Sequence, residues 1–181
     1  MVVANKELVT YTLPPSPFSR RPIGQPITLL ESRAVISGAG TTGLRTWEAA
    51  LALAEYLICC HLSRIYNVTS VHPVATGQTL VLETESVLEL GAGTGLVGIT
   101  AARLGAKMVV ATDGDEGVCE ALKSAVDRNG VGDVVAVKKL LWGEGGGGEG
   151  EEEKFDLVVG ADVVRYTYCC SLRRCLTELG G

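Results

Sequence analysis

The chain has 181 residues, which suits one domain and leaves no room for two large ones. Hydrophobic residues make up 46% and charged residues 20%, the balance of a folding sequence rather than a disordered one. The net charge is −5, and five glutamates crowded between Glu144 and Glu153 account for all of it. The remainder is close to neutral, which argues against a broad basic face for nucleic acid or anionic lipid. No apolar run approaches the ~18 residues that a membrane span needs. The opening MVVANKELVTYTLPP has no basic region followed by an apolar one, so no secretory signal is expected. Six cysteines (59, 60, 119, 169, 170 and 175) show no metal-ligand spacing. Reduced thiols, a cytoplasmic location and no bound metal are expected.

Residues 1–45 read as an extended N-terminal arm with short strands. Prolines 14, 15, 17, 22 and 26 remove backbone donors and block helices there. ITLLESRAVIS (27–37) reads as one or two strands and GAGTTG (38–43) as a turn. Thr46 is placed to cap a helix over residues 47–62, in which Trp47, Ala50, Leu51, Ala54, Leu57 and Ile58 form an apolar face. After a connection at 68–78, strands and helices alternate. Strands are expected at 86–91, 107–113, 133–142 and 155–164, with helices at 96–105, 117–130 and 166–179. Residues 143–154, GEGGGGEGEEEK, are low in complexity and expected to form an exposed loop. Apolar strands alternating with helices predict an α/β fold, a Rossmann-like doubly wound parallel sheet, across 46–181.

The strongest signal is VLELGAGTGLVGITAARLG (87–105). A strand runs into Gly91-Ala92-Gly93-Thr94-Gly95 and a helix follows at once. Glycines permit positive φ and let a ligand approach bare backbone, and the helix offers unpaired N–H groups. Twenty residues after Gly93, a second strand ends in Asp113, placed to accept ribose hydroxyls. Two cofactors suit this pattern. Residues 93–98 satisfy the GxGxxG of dinucleotide binders. Residues 89–95 satisfy ExGxGxG, which resembles motif I of the class I S-adenosylmethionine methyltransferases, with Glu89 inside the strand. Trp142, after the third strand, either faces an adenine or packs beneath the glycine turn. Asp162, at the end of the fourth strand, points at the same crevice as Asp113.

Together these pieces resemble the seven-β-strand protein lysine methyltransferases, whose glycine motif, LxW and DxxY correspond to Gly91-Ala92-Gly93, Leu140-Leu141-Trp142 and Asp162. LLESRAVISGAGTTGLRTWEAALALAEYL (29–57) is similar to the segment preceding the core domain in the elongation factor 2 lysine methyltransferases. The resemblance implies that Gly91, Ala92 and Gly93, with Glu89, line the methionine moiety of S-adenosyl-L-methionine and that Asp113 holds its ribose. It puts Trp142 and Ala161 about the adenine and sulfonium side. Trp47, which by periodicity alone is a core tryptophan, comes near the cofactor. Two departures stand out. DxxY reads Asp162-Val163-Val164-Arg165, with Tyr166 one place later. The family sheet has seven strands, so the expectation here is a class I methyltransferase domain truncated after its fourth core strand.

The expected function is S-adenosylmethionine-dependent lysine N-methylation of a protein, elongation factor 2 or a relative, with Asp162 orienting the incoming amine and Tyr166 bordering its channel. Two other classes remain open. An NAD-dependent oxidoreductase would need an acid near a hydride acceptor, and no such constellation follows the glycine turn. A non-catalytic methyltransferase-like remnant would bind a partner protein rather than a cofactor.

Overall fold

The structure, a computed structural model, describes residues 6–12, 25–32, 42–66, 82, 85–141 and 154–163. Trp142, Tyr166, the Gly/Glu loop and the expected last helix lie outside the described residues. The elements in chain order are β1 (Lys6–Tyr11), β2 (Ile27–Ser32), α1 (Glu48–Tyr66), β3 (Ser86–Leu90), α2 (Leu96–Arg103), β4 (Met108–Asp113), α3 (Glu116–Arg128), β5 (Val135–Lys139) and β6 (Leu157–Gly160).

Strands β5, β4, β3 and β6 lie in that order and pair in parallel. The chain therefore steps one way from β3 to β4 to β5, then returns to place β6 on the other side of β3. That reversal opens a crevice beyond the C-terminal ends of β3 and β6, where doubly wound sheets bind ligands. The two central strands are buried as the sequence predicts, while β5 and β6 are partly exposed. The main core joins Val87, Val109 and Ala111 of one sheet face to Leu96, Val97 and Ile99 of α2, Leu122 and Val126 of α3, and Leu57 and Ile58 of α1. A smaller cluster on the other face holds Leu88, Leu90 and Val110.

Local chemistry sets the helix ends. Asp115 caps α3, its carboxylate accepting from the Val118 N–H at 2.9 Å. Gly105 and Gly130 follow α2 and α3 with φ of +98° and +64°. At α1 the expectation fails in detail. The Trp47 carbonyl, not the Thr46 side chain, takes the first helical bonds, from Ala50 and Leu51. The Thr46 hydroxyl is committed elsewhere, to Glu31 and Thr94 at 2.7 Å each.

Strands β1 and β2, within the arm expected at 1–45, form an antiparallel hairpin. Alternation in β2 turns Ile27, Leu29 and Glu31 inward, and all three are buried. The hairpin is tied down by polar groups. The Asn129 amide pairs with the backbone of Thr28 as a strand would: Oδ1 accepts from the Thr28 N–H at 3.0 Å and Nδ2 donates to its carbonyl at 2.9 Å. Arg103 donates to the carbonyls of Gln25 and Pro26 and to Asn129 Oδ1. Among the described residues, no helix is long and apolar enough to cross a membrane.

Candidate active site

The glycine turn is shaped by three positive-φ residues, Gly91 (+62°), Gly93 (+55°) and Gly95 (+90°). Two of them are also sterically required. A Cβ on Gly95 would lie 2.3 Å from Leu122 Cδ1, and one on Gly93 would press on the Gly43 carbonyl at 3.1 Å. The tip of β4 pins the turn from the side. The Ala92 N–H donates to the Thr112 carbonyl at 2.8 Å, and the Gly93 N–H donates to Asp113 Oδ2 at 3.1 Å. The second Asp113 oxygen accepts from the Asp115 N–H at 3.1 Å. Asp113 thus holds the turn with both carboxylate oxygens and lines the crevice.

Glu89 is the unusual group of β3. It is 3% exposed, and its Oε2 has no hydrogen-bond partner among the described residues. Burial pushes its pKa up to about 8; the Gly98 N–H opposes the rise and Asp113 adds to it. The carboxyl has room because residue 98 is glycine: a Cβ there would come within 2.6 Å of Oε2. The third glycine of the sequence motif therefore makes space for an acid.

From the opposite side, residues 42–47 lean on the turn. Thr46 reaches Thr94 at 2.7 Å, and Glu31 holds Thr46 from behind. Glu31 Oε1 accepts from both the Thr46 and Tyr11 hydroxyls at 2.7 Å. With Thr46 donating to Glu31, Thr94 is the donor in the Thr46–Thr94 bond. Burial, with the Glu31 carboxylate, raises the Tyr11 pKa above the ordinary phenol value. The Trp47 indole donates to the Thr42 carbonyl at 3.3 Å, and the Arg45 guanidinium stands over its ring, 5.2 Å from the centroid.

These elements enclose a pocket of about 590 Å³. Of the residues expected at the site, Trp47, Glu89, Gly91, Ala92, Gly93, Asp113, Ala161 and Asp162 all line it. Leu140 and Leu141, which precede Trp142, line it too. Asp162 is exposed and takes a φ of +56°, a left-handed conformation that aspartate tolerates better than most side chains. The sequence reading missed Thr42, Gly43, Arg45, Thr46 and Thr94 as lining residues. It also missed the supporting acid, Glu31. The inward alternation of Ile27, Leu29 and Glu31 was the available signal. Among the described residues, no group of three or more His, Cys, Asp or Glu is placed to hold a metal ion.

Comparison with known proteins agrees with this arrangement. A family model described as lysine methyltransferase matches residues 33–180. Protein-lysine N-methyltransferase EFM3 of Chaetomium thermophilum is 41% identical over 145 residues, covering 76% of this chain and 38% of that protein. Its namesake in Saccharomyces cerevisiae is 34% identical over 163 residues, covering 84% and 44%. Protein-lysine N-methyltransferase EEF2KMT of Mus musculus is 31% identical over 170 residues, covering 87% and 44%. The chain spans less than half the length of these relatives. The family match runs from before the 42–47 segment, through the glycine turn and past the end of β6, and the chain belongs to the lysine methyltransferase family.

Proposed function

We propose that the pocket binds S-adenosyl-L-methionine and that the protein methylates a lysine ε-amine of a protein substrate, elongation factor 2 or a relative. The observation that carries the cofactor reading is Glu89: a buried carboxyl with an open oxygen, beneath a bare glycine turn and beside Asp113. A dinucleotide would bring its pyrophosphate to such a turn. Here Asp113 and Asp162 line the pocket, and Glu89, held protonated by burial, gains charge only beside a cation; together they disfavour an anion and favour a ligand carrying positive charge. The relatives' names and the 29–57 segment support the lysine and elongation factor readings. The same reading implies a cytosolic protein.

When bound, the cofactor supplies an electrophilic methyl group on a positively charged sulfur. The protein's own part is positioning. Gly91 to Gly93 give close approach, Asp113 takes the ribose, Glu89 faces the amino-acid end, and Ala161 flanks the sulfonium side; the role that the resemblance implies for Trp142 falls outside the described residues. The substrate lysine must lose its proton, against a reference pKa of about 10.4. Burial next to positive charge lowers that value. Asp162, which lines the pocket, orients the neutral amine; the channel role that the resemblance implies for Tyr166 falls outside the described residues.

Two measurements test this. Asp113→Ala is expected to abolish calorimetric binding of S-adenosylmethionine, and tight binding by that variant rules out the ribose assignment. Asp162→Asn preserves the left-handed backbone and removes the charge. Methyl transfer to the protein substrate should fall at least tenfold, and unchanged turnover removes the role of Asp162.

A further inference from the structure

The charge around the pocket is uneven. Three lining residues are acids, and Arg45 is the one lysine or arginine among the described lining residues. Arg45 lies in the segment that rests on the glycine turn, between Gly43, whose carbonyl faces Gly93, and Thr46, which bonds Thr94. That segment is held from behind by Glu31 and at its end by the Trp47–Thr42 bond. The guanidinium stands over the Trp47 ring, and no carboxylate among the described residues pairs with it. A guanidinium lying on an aromatic face keeps its in-plane N–H donors free, in the fork that suits a carboxylate.

The proposed cofactor presents three charged groups at its amino-acid end: a sulfonium, an ammonium and one carboxylate. The acids of the pocket suit the first two. A carboxylate brought into the same space needs a cationic partner, because an unpaired charge removed from water is costly. We propose that Arg45 binds the α-carboxylate of S-adenosylmethionine, with Trp47 as the platform that sets the guanidinium in place. This rests on the cofactor reading above and assigns the anionic subsite that the glycine turn and Asp113 leave unassigned. Trp47 then acts on the ligand through Arg45 as well as by lining the pocket.

The test is a pair of calorimetric titrations, with S-adenosylmethionine and with its decarboxylated analogue, which keeps the adenosine, the sulfonium and the ammonium. The native protein should prefer the carboxylated ligand. In Arg45→Gln, affinity for S-adenosylmethionine should fall about thirtyfold, the scale of a lost charge-assisted hydrogen bond. Affinity for the decarboxylated analogue should stay within about twofold, so the preference collapses. Arg45→Lys keeps the charge without the fork and should fall between. Equal losses for both ligands would show that Arg45 shapes the pocket without touching the carboxylate, and would overturn the proposal. So would unchanged affinity for both, which would release Arg45 to meet acidic groups of the protein substrate. A native protein that binds neither ligand would overturn the cofactor reading itself.

Discussion

The two walls of the pocket are built on different principles. The wall formed by β3, the glycine turn, α2 and β4 is continuous in sequence, and backbone geometry does most of its work: three glycines at positive φ, two backbone N–H groups donating to the Thr112 carbonyl and the Asp113 side chain, and a space at Gly98 filled by Glu89. The wall formed by residues 42–47, backed by the hairpin, is assembled from distant parts of the chain by side chains. Glu31, Tyr11, Thr46 and Thr94 come from four separate places in the sequence, and Asn129 and Arg103 fasten the hairpin from two helices. The first wall tolerates change poorly because backbone has no alternative conformation to offer. The second depends on polar groups that lose partners when any one member is removed.

That contrast can be broken at its strongest point first. Gly95→Ala places a Cβ against Leu122 and forces a side chain into a left-handed conformation. The combined strain and overpacking should cost about 3 kcal/mol, read from the midpoint of urea unfolding. A loss below about 1 kcal/mol would show that the turn relaxes and that the first wall is less rigid than described.

The second wall is tested by Glu31→Ala, which leaves the Tyr11 and Thr46 hydroxyls without their acceptor. About 2 kcal/mol of stability should be lost. Glu31→Gln keeps one acceptor oxygen and should recover much of it; equal losses in the two variants would mean that the charge, not the hydrogen bonding, matters. Asn129→Ala should cost about 1.5 kcal/mol and raise amide exchange at Thr28, whose N–H loses its acceptor. Unchanged exchange would place the docking of β2 in its apolar contacts alone.

The last test sharpens the comparison by pH, its effect the smallest per step of the variable. The Glu89 pKa is pushed from 4.5 to about 8 in the folded chain, so the folded state holds this proton more tightly than the unfolded one. The associated stability is fully present below about pH 4.5 and is lost as pH rises through about 8. The ligand-free protein should therefore lose stability across that window, at up to about 1 kcal/mol per pH unit. Glu89→Gln should flatten the slope, measured by unfolding at pH 5, 6.5 and 8. A slope that survives the substitution would assign the titration to another group.

Much of the first wall was legible in the sequence. Its strand, turn, helix and second strand are consecutive, so spacing brought the glycines and Asp113 together and the motif resemblance added Glu89; Glu89, Gly91, Gly93 and Asp113 all line the pocket. The helix start at Trp47 was read one residue early because Thr46 is a good cap by type; its hydroxyl was instead drawn into a buried network that no local pattern displays. Arg45 was overlooked for the same reason. An arginine before a helix is ordinary as sequence, and its meaning depends on what lies across from it; for Glu31 the alternation of β2 gave its inward direction but not its partners.

Sequence by itself determined the alternation of strands and helices, the ligand-accepting turn and the acid at the tip of β4, because each follows from backbone sterics and periodicity within a few dozen residues. Tertiary structure fixed the reversal that a doubly wound sheet implies to one place, with β6 returning to the far side of β3. It also decided that residues 42–47 line that crevice and that one arginine joins a pocket whose other charged lining residues are acids. Those outcomes come from packing separate segments against one another, and the charge a pocket presents is a sum over segments that local spacing does not encode.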